Sequence, residues 1–144
     1  MRRIMFQQIS IIGLGLIGSS LARIAINKGL TQRVVAVDIS PRVCETVKSL
    51  AIAHHATTSL SEGVKGADLV ILCVPVGAMS MVGEAIAPFL KPGCIVTDTG
   101  SVKQAVVDAL KPHLPDGVEL VPGHPIAGTE HSGPESGFPE LFQG

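Results

Sequence analysis

Residues 9–22 read I-S-I-I-G-L-G-L-I-G-S-S-L-A, and residues 33–38 read R-V-V-A-V-D. A short apolar run leads into a cluster of glycines, a stretch of helical period follows, and a second apolar run ends in an acid. Gly13, Gly15 and Gly18 are spaced G-x-G-x-x-G, and Asp38 stands 20 positions after the last of them. This order of strand, glycine turn, helix, strand and acid predicts a dinucleotide-binding βαβ unit.

Each glycine of this motif meets a separate steric need. Gly13 permits the tight turn from strand to helix, Gly15 lets a pyrophosphate approach the backbone, and Gly18 lets the helix lie close on the strand. The diphosphate is then expected at the helix N-terminus, where unpaired N–H groups and the positive end of the helix dipole face it. The candidate cofactor loop consists of Gly13, Leu14, Gly15, Leu16, Ile17 and Gly18.

Asp38 and Arg42 bear on which dinucleotide is bound. A carboxylate at the end of the second strand accepts hydrogen bonds from both ribose hydroxyls of adenosine and repels a 2′-phosphate, so NAD is favoured over NADP. Arg42 follows four positions later. It weakens that preference, since a guanidinium near the ribose can bind the extra phosphate of NADP. The alternative is a tight glycine turn that binds no ligand.

The length of 144 residues indicates a single domain over residues 1–144. Hydrophobic residues make up 46% of the chain and the mean hydropathy is +0.44, which a parallel sheet covered on both faces explains in part. The remainder indicates a surface that something outside the chain covers. The net charge is -1, no block of like charge occurs, and Trp and Tyr are absent. We therefore expect neither a nucleic-acid nor a membrane partner.

The N-terminus and the cysteines favour a cytoplasmic protein. Met1-Arg2-Arg3 before apolar residues superficially resembles a signal peptide, but its removal would destroy the first strand of the glycine motif. The three cysteines are an odd number, and Cys73 and Cys94 fall in strand-like runs. They are expected to be buried small hydrophobes in a reduced compartment, with neither a disulfide nor a metal.

Strands and helices alternate along the chain. Apolar runs predict strands at residues 9–12, 34–37, 69–74, 94–97 and 118–121, with a weaker one near 51–54. Helical periodicity predicts helices at 16–28, 41–50, 76–89 and 102–111, with a short turn of helix at 59–66 and a Ser40 cap before Pro41. The fold class expected is a Rossmann-type, doubly wound, mainly parallel sheet with helices on both faces.

Three loops are expected to meet at the carboxyl edge of that sheet, where open α/β sheets bind ligands. They are residues 75–77, 98–101 and 123–125. The residues at this edge that we expect beside the cofactor are Val74, Pro75, Asp98 and Gly100. His54 and His55 lie in a polar connection instead, and we expect both to be solvated.

His124 is the best placed of the five histidines to act in catalysis. A dehydrogenase needs a base for the hydroxyl proton as hydride leaves the neighbouring carbon, and imidazole, with a pKa of about 6.5, suits neutral pH. Ser101 could hydrogen-bond the same hydroxyl or the imidazole, but it is equally suited to cap the following helix. Asp98 could orient the loop, although such residues more often close a turn.

The chain resembles the prephenate and arogenate dehydrogenase family in four segments. They are G-L-G-L-I-G-S-S-L-A, C-V-P-V, D-T-G-S-V-K and, most specifically, G-H-P-I-A-G-T-E-H-S-G-P-E at residues 123–135. The resemblance implies NAD-dependent oxidative decarboxylation of prephenate to 4-hydroxyphenylpyruvate, or of arogenate to tyrosine, in tyrosine biosynthesis. It also implies that His124 takes the proton of the ring 4-hydroxyl and that Ser101 assists.

Length is the large departure from the family pattern. Family members carry an all-helical dimerisation domain after the nucleotide domain, whereas this chain stops at Gly144 and looks truncated. The resemblance implies a homodimer formed through that helical domain, which also supplies the arginines that bind the substrate carboxylates. We therefore expect the chain alone to bind NAD and to turn over substrate poorly. The rival interpretations are another Rossmann enzyme, such as a 3-hydroxyacid dehydrogenase, and a non-catalytic NAD-binding module.

Overall fold

The computed structural model describes residues 6–99 and 103–121. Within them a parallel sheet has the strand order β3-β2-β1-β4-β5-β6. Its strands are β1 (Phe6–Ile12), β2 (Thr31–Val37), β3 (His55–Thr57), β4 (Leu69–Leu72), β5 (Ile95–Asp98) and β6 (Glu119–Leu120). The helices are α1 (Leu16–Asn27), α2 (Pro41–Ser49), α3 (Leu60–Val64), α4 (Val76–Ile86) and α5 (Lys103–Leu110). The expected doubly wound, parallel α/β fold is confirmed.

The sheet is buried on both faces. One apolar core includes Ile9 and Ile11 of β1 together with Leu21 of α1. The other includes Ile12 of β1 and Met79 of α4. Successive residues of one strand thus serve opposite cores, which is why these strands read as continuous apolar runs.

The order of the strands reverses between β1 and β4. The chain passes from β1 to β2 and β3 on one side, then returns to place β4 on the other side of β1, followed by β5 and β6. The connections that follow β1 and β4 therefore run in opposite directions from the carboxyl ends of these two neighbouring strands. This reversal point is where open α/β sheets leave a crevice for a ligand.

The predicted third strand was wrong in position. It lies at His55–Thr57, because residues just after α2 close the helix instead of extending: Ala51 has a φ of 56°, and the Ile52 N–H donates to the Val47 carbonyl at 3.1 Å. His55 is consequently a half-buried strand residue with its Nε2 3.7 Å from a Glu62 carboxylate oxygen. His54 is exposed, and its Nδ1 accepts a hydrogen bond from the Val34 N–H at 2.9 Å.

Other predicted boundaries differ from the observed ones at a proline and at the ends of strands. The helix expected at 76–89 is α-helical only to Ile86 and continues as a 3-10 turn at Ala87–Phe89, because Pro88 lacks the N–H that an α-helix needs. The strand expected at 69–74 ends at Leu72. Cys73 therefore follows a strand, while Cys94 precedes one and is fully buried. The Ser40 cap is confirmed, since its hydroxyl accepts from the Val43 N–H at 3.3 Å.

Among the described residues, no helix combines the length and the apolar character that crossing a membrane requires.

Candidate functional site

The glycine loop between β1 and α1 is held against its neighbours at two of its glycines. Gly13 has a φ of 97°, and a Cβ built on it would lie 2.6 Å from the Cys73 carbonyl oxygen. A Cβ on Gly18 would lie 2.0 Å from the Gly13 carbonyl oxygen. The Gly13 N–H donates to the Val37 carbonyl at 2.7 Å. Only glycine fits either position, and the loop is thereby fixed to the ends of β2 and β4.

Gly15 differs from the other two because it faces open space. A Cβ on Gly15 would meet no atom within 4 Å among those described. Gly15 is also the N-cap of α1, where no side chain caps the helix and no acid lies in the first turn. The N–H groups of that turn have no intrahelical acceptor. Together these features leave room and hydrogen-bond donors for an anion at the start of a twelve-residue helix.

The side chains within the loop divide between core and solvent. Leu14 is buried, whereas Leu16 is 86% exposed and Ile17 is 38% exposed. A large apolar side chain at the mouth of a candidate site is available to contact a ligand or another part of a protein. The Ser19 hydroxyl donates to the Leu14 carbonyl at 3.2 Å and so ties α1 to the loop.

Asp38 joins the glycine loop to the end of β2. One carboxylate oxygen accepts from the Leu14 N–H at 2.9 Å, and the other accepts from the Ser40 N–H at 3.0 Å. The half-buried carboxylate therefore has a fixed orientation beside the loop. Each of its oxygens still has a lone pair for a further donor, because a carboxylate offers about four acceptor sites.

An apolar pocket of about 220 Å³ opens next to Asp38. Val74 and Pro75, both expected from the sequence, lie in its wall. Ile39 and Met81 line it as well and are 87% and 67% exposed, so they stand at its mouth. Neither residue was predicted from the sequence. Ile39 follows the motif acid directly, which is a signal that could have been used, whereas Met81 comes from the middle of α4.

Arg42 lies apart from this pocket. It is exposed near the start of α2, where it lines a separate surface groove with Glu45 and Thr46. The structure therefore brings Asp38, Val74 and Pro75 around one pocket and places the Arg42 side chain in another.

The carboxyl ends of β4 and β5 lie side by side. Asp98 ends β5 in register with Leu72 and is 3% exposed, and the Thr99 N–H donates to the Leu72 carbonyl at 3.1 Å. Burial raises the pKa of the Cys73 thiol to about 12, a rise that the hydrogen bond with Thr99 opposes and the charge of Asp98 adds to. Cys73 is thus a neutral thiol at physiological pH and a poor nucleophile.

Three expected residues of this edge, Gly100, Ser101 and His124, lie outside the described residues. Within residues 6–99 and 103–121, no group of three or more His, Cys, Asp or Glu side chains could hold a metal ion. The described part of the site therefore consists of open space at the start of α1, a fixed carboxylate and an apolar pocket.

Curated relatives share almost the whole of this chain. A cyclohexadienyl dehydrogenase of Zymomonas mobilis is 47% identical over 138 residues, which cover 96% of this chain and 47% of that protein. A prephenate dehydrogenase of Bacillus subtilis is 36% identical over 133 residues, which cover 91% of this chain and 36% of that protein. The chain thus spans less than half the length of these relatives.

Solved structures and a family model agree with these relatives. A prephenate dehydrogenase from A. aeolicus, crystallised in complex with hydroxyphenyl propionate and NAD+, matches with a TM-score of 0.77 and 32% identity over 93% of this chain and 46% of its own. Arogenate dehydrogenase of Synechocystis matches with a TM-score of 0.73 and 30% identity over 81% of this chain and 40% of its own. The family model for the nucleotide-binding domain of prephenate dehydrogenase matches residues 21–144. The chain belongs to the prephenate dehydrogenase family and corresponds to its nucleotide-binding domain.

Proposed function

We propose that this chain binds NAD and forms the nucleotide-binding part of a dehydrogenase that oxidatively decarboxylates prephenate or arogenate in tyrosine biosynthesis. The observation that carries the cofactor proposal is the open space at Gly15, beside an uncapped helix N-terminus and the fixed carboxylate of Asp38. The names of the relatives, cyclohexadienyl and prephenate dehydrogenase, support the reaction. The A. aeolicus relative was crystallised with NAD+.

The described residues fit each part of NAD in turn. The N–H groups at the start of α1 bind the pyrophosphate, for which Gly15 leaves space. The free lone pairs of Asp38 accept the ribose hydroxyls, and its negative charge repels a 2′-phosphate. The apolar pocket takes the adenine ring. Leu16, Ile17, Asp98 and Gly100 belong to the same proposed cofactor site.

In the proposed reaction, residues of this chain bind the 4-hydroxyl of the substrate ring and accept its proton. When bound, NAD supplies the acceptor for the hydride that leaves the ring carbon carrying the 4-hydroxyl. His124 accepts the proton of that hydroxyl, and Ser101 hydrogen-bonds the same group. Carbon dioxide then leaves the ring, the electron pair of the broken bond makes the ring aromatic, and the resulting phenolate oxygen regains the proton from His124. Replacing His124 with Asn in an active enzyme that contains this chain should lower kcat by orders of magnitude and leave NAD affinity unchanged.

The whole enzyme requires more than the described residues. Prephenate carries two carboxylates, which arginine binds best. Arg23, Arg33 and Arg42 are exposed on α1, β2 and α2, outside the loops at the carboxyl ends of β4 and β5. We propose that arginines of a helical dimerisation domain supply these contacts in a homodimer. On this proposal residues 1–144 form one NAD-binding domain with little or no turnover of its own.

Calorimetric titration of the chain with NAD and NADP tests the cofactor proposal. We expect micromolar affinity for NAD and an affinity for NADP at least tenfold lower, because Asp38 repels the 2′-phosphate. The Asp38→Asn variant should reduce this difference, since it removes the charge while keeping an acceptor for the Leu14 N–H. Absence of NAD binding by the folded chain would contradict the proposal.

A further inference from the structure

Leu14, between the first two glycines of the loop, is bound at both of its backbone polar groups by side chains. Its N–H donates to a carboxylate oxygen of Asp38 at 2.9 Å, and its carbonyl accepts from the Ser19 hydroxyl at 3.2 Å. Its own side chain is buried in the core. Leu14 is thus connected to the end of β2 on one side and to α1 on the other, which fixes the peptide between Leu14 and Gly15.

The Ser19 hydroxyl stands in for a helical N–H group. The Ser19 N–H donates to the Gly15 carbonyl at 2.9 Å, which is the first i to i−4 bond of α1. One residue earlier, the Leu14 carbonyl receives the Ser19 hydroxyl, and among the described residues no bond reaches it from the Gly18 N–H. The hydroxyl therefore draws the Leu14 carbonyl toward the C-terminal end of α1, the direction in which helical carbonyls point.

The orientation of this carbonyl sets the direction of the Gly15 N–H. No cis peptide bond occurs among the described residues, and in a planar trans peptide the carbonyl and the N–H point in opposite directions. Because the Leu14 carbonyl points along α1, the Gly15 N–H points out of the N-terminus of the helix. Within residues 6–99 and 103–121 no group accepts a hydrogen bond from this N–H.

We infer that Ser19 is a positioning residue for the cofactor, whose hydroxyl orients the Leu14–Gly15 peptide so that the Gly15 N–H donates to the pyrophosphate. This inference rests on the proposed function, because it assumes a dinucleotide at the start of α1. A donor that is fixed before binding loses little entropy when the ligand arrives. Its hydrogen bond to an anion is also about twice as strong as one between neutral groups.

Calorimetric titration of the Ser19→Ala chain with NAD tests this inference. We expect the dissociation constant to rise by about threefold to tenfold, because the donor is no longer fixed. Tm should fall by no more than about 3 °C, since the higher helix propensity of alanine offsets part of the lost hydrogen bond. An affinity for NAD equal to that of the parent chain would overturn the inference and leave the proposed function standing. If the folded parent chain does not bind NAD, the proposed function itself fails.

Adenosine separates the pyrophosphate from the rest of the cofactor, because it carries the base and a ribose but no phosphate. In an NMR titration the Ser19→Ala chain and the parent should bind adenosine equally. The ratio of the dissociation constants for NADP and NAD should also stay the same, since the Leu14 N–H still donates to Asp38. A loss of affinity for adenosine as large as that for NAD would show that the hydroxyl acts on the loop in general, and it would overturn the inference.

A neighbouring serine and a conservative change provide the controls. Ser20 is the next residue of α1 and is half-buried like Ser19, and its hydroxyl makes none of the hydrogen bonds found among the described residues. Ser20→Ala should therefore leave NAD affinity unchanged. Ser19→Thr keeps a hydroxyl on the same carbon atom and should bind NAD as the parent chain does. Equal losses from Ser19→Ala and Ser20→Ala, or a Ser19→Thr chain as weak as Ser19→Ala, would assign the effect to the packing of α1 and overturn the inference.

Discussion

Asp38 combines a structural role with the proposed binding of the ribose. Its carboxylate accepts two backbone N–H groups, which fixes the loop at Leu14 and the start of α2 at Ser40. Two lone pairs stay available, so binding a ribose need not break either bond. The sequence predicted the acid and its position from spacing alone. It could not predict the two backbone partners, because they depend on how the loop folds back onto β2.

The three glycines of the loop should respond differently to alanine. Gly13→Ala places a Cβ 2.6 Å from the Cys73 carbonyl oxygen at a φ of 97°, which we expect to destabilise the chain by about 1–3 kcal/mol. The methyl group of Gly15→Ala would enter open space. The change should lower the free energy of unfolding by at most about 1 kcal/mol, because alanine is a poorer N-cap than glycine. It should nevertheless lower NAD affinity tenfold or more, since the new methyl group occupies the space proposed for the pyrophosphate.

Thermal unfolding together with NAD titration separates these effects. Gly18→Ala is the control for a change that lowers stability through a steric clash, since its Cβ would lie 2.0 Å from the Gly13 carbonyl oxygen. A Gly15→Ala chain that binds NAD as well as the parent would move the proposed pyrophosphate site away from the start of α1.

Helices and strands were predicted best from the sequence where the apolar periodicity was strong. The positions of α1 and α2 were predicted within a residue or two, because capping residues and glycines mark their ends. The third strand was misplaced, since β3 has only three residues and its pairing with Val35–Val37 of β2 decides where it lies. Likewise Met81 was missed, because only the packing of α4 beside α3 brings it to the pocket.

Ser40 should contribute measurably to the stability of α2. Its hydroxyl accepts from the Val43 N–H at 3.3 Å, at a helix of nine residues. Ser40→Ala should therefore destabilise the chain by about 1 kcal/mol and lower Tm by roughly 3–5 °C. Ser49→Ala, at the exposed end of the same helix, is the control and should change stability by less than about 0.5 kcal/mol. Equal effects of the two changes would show that the cap contributes nothing specific.

The two edges of the sheet carry different features of the protein. The carboxyl edge carries the glycine loop, Asp38 and the pocket, all near the reversal between β1 and β4. The amino edge is fixed by Asp68, which precedes β4. Asp68 accepts from the Gln7 and Gln8 N–H groups of β1 at 2.6 and 3.2 Å, and it pairs with Lys91, ahead of β5, at 2.5 Å. One carboxylate thus ties together three neighbouring segments far from the proposed site.

The pH dependence of the free energy of unfolding should reflect these contacts of Asp68. Burial alone would raise the pKa of Asp68, but hydrogen bonds from Lys91 and from the Gln7 and Gln8 N–H groups outweigh it, and the net pKa lies below the ordinary value of 3.8. A carboxyl group with a lowered pKa in the folded state stabilises that state above its ordinary pKa. The contribution is lost as the pH falls through the lowered value.

Asp68→Asn should therefore destabilise the chain at pH 7 by about 1 kcal/mol, a figure kept small because the Lys91 side chain is 43% exposed and the pair is screened by solvent. Urea unfolding of both chains from pH 7 to pH 3 measures the effect, and the difference between them should shrink below about pH 4 as Asp68 itself becomes protonated. Lys91→Met should cost less than Asp68→Asn, because the charged carboxylate still accepts from the Gln7 and Gln8 N–H groups, whereas the amide oxygen of Asn would accept them without that charge. A difference that stays constant with pH would assign the loss to packing at the amino edge instead of to the charge. NAD affinity at pH 7 should be the same in all three chains, since the carboxylate of Asp68 lies at the opposite edge of the sheet from Asp38.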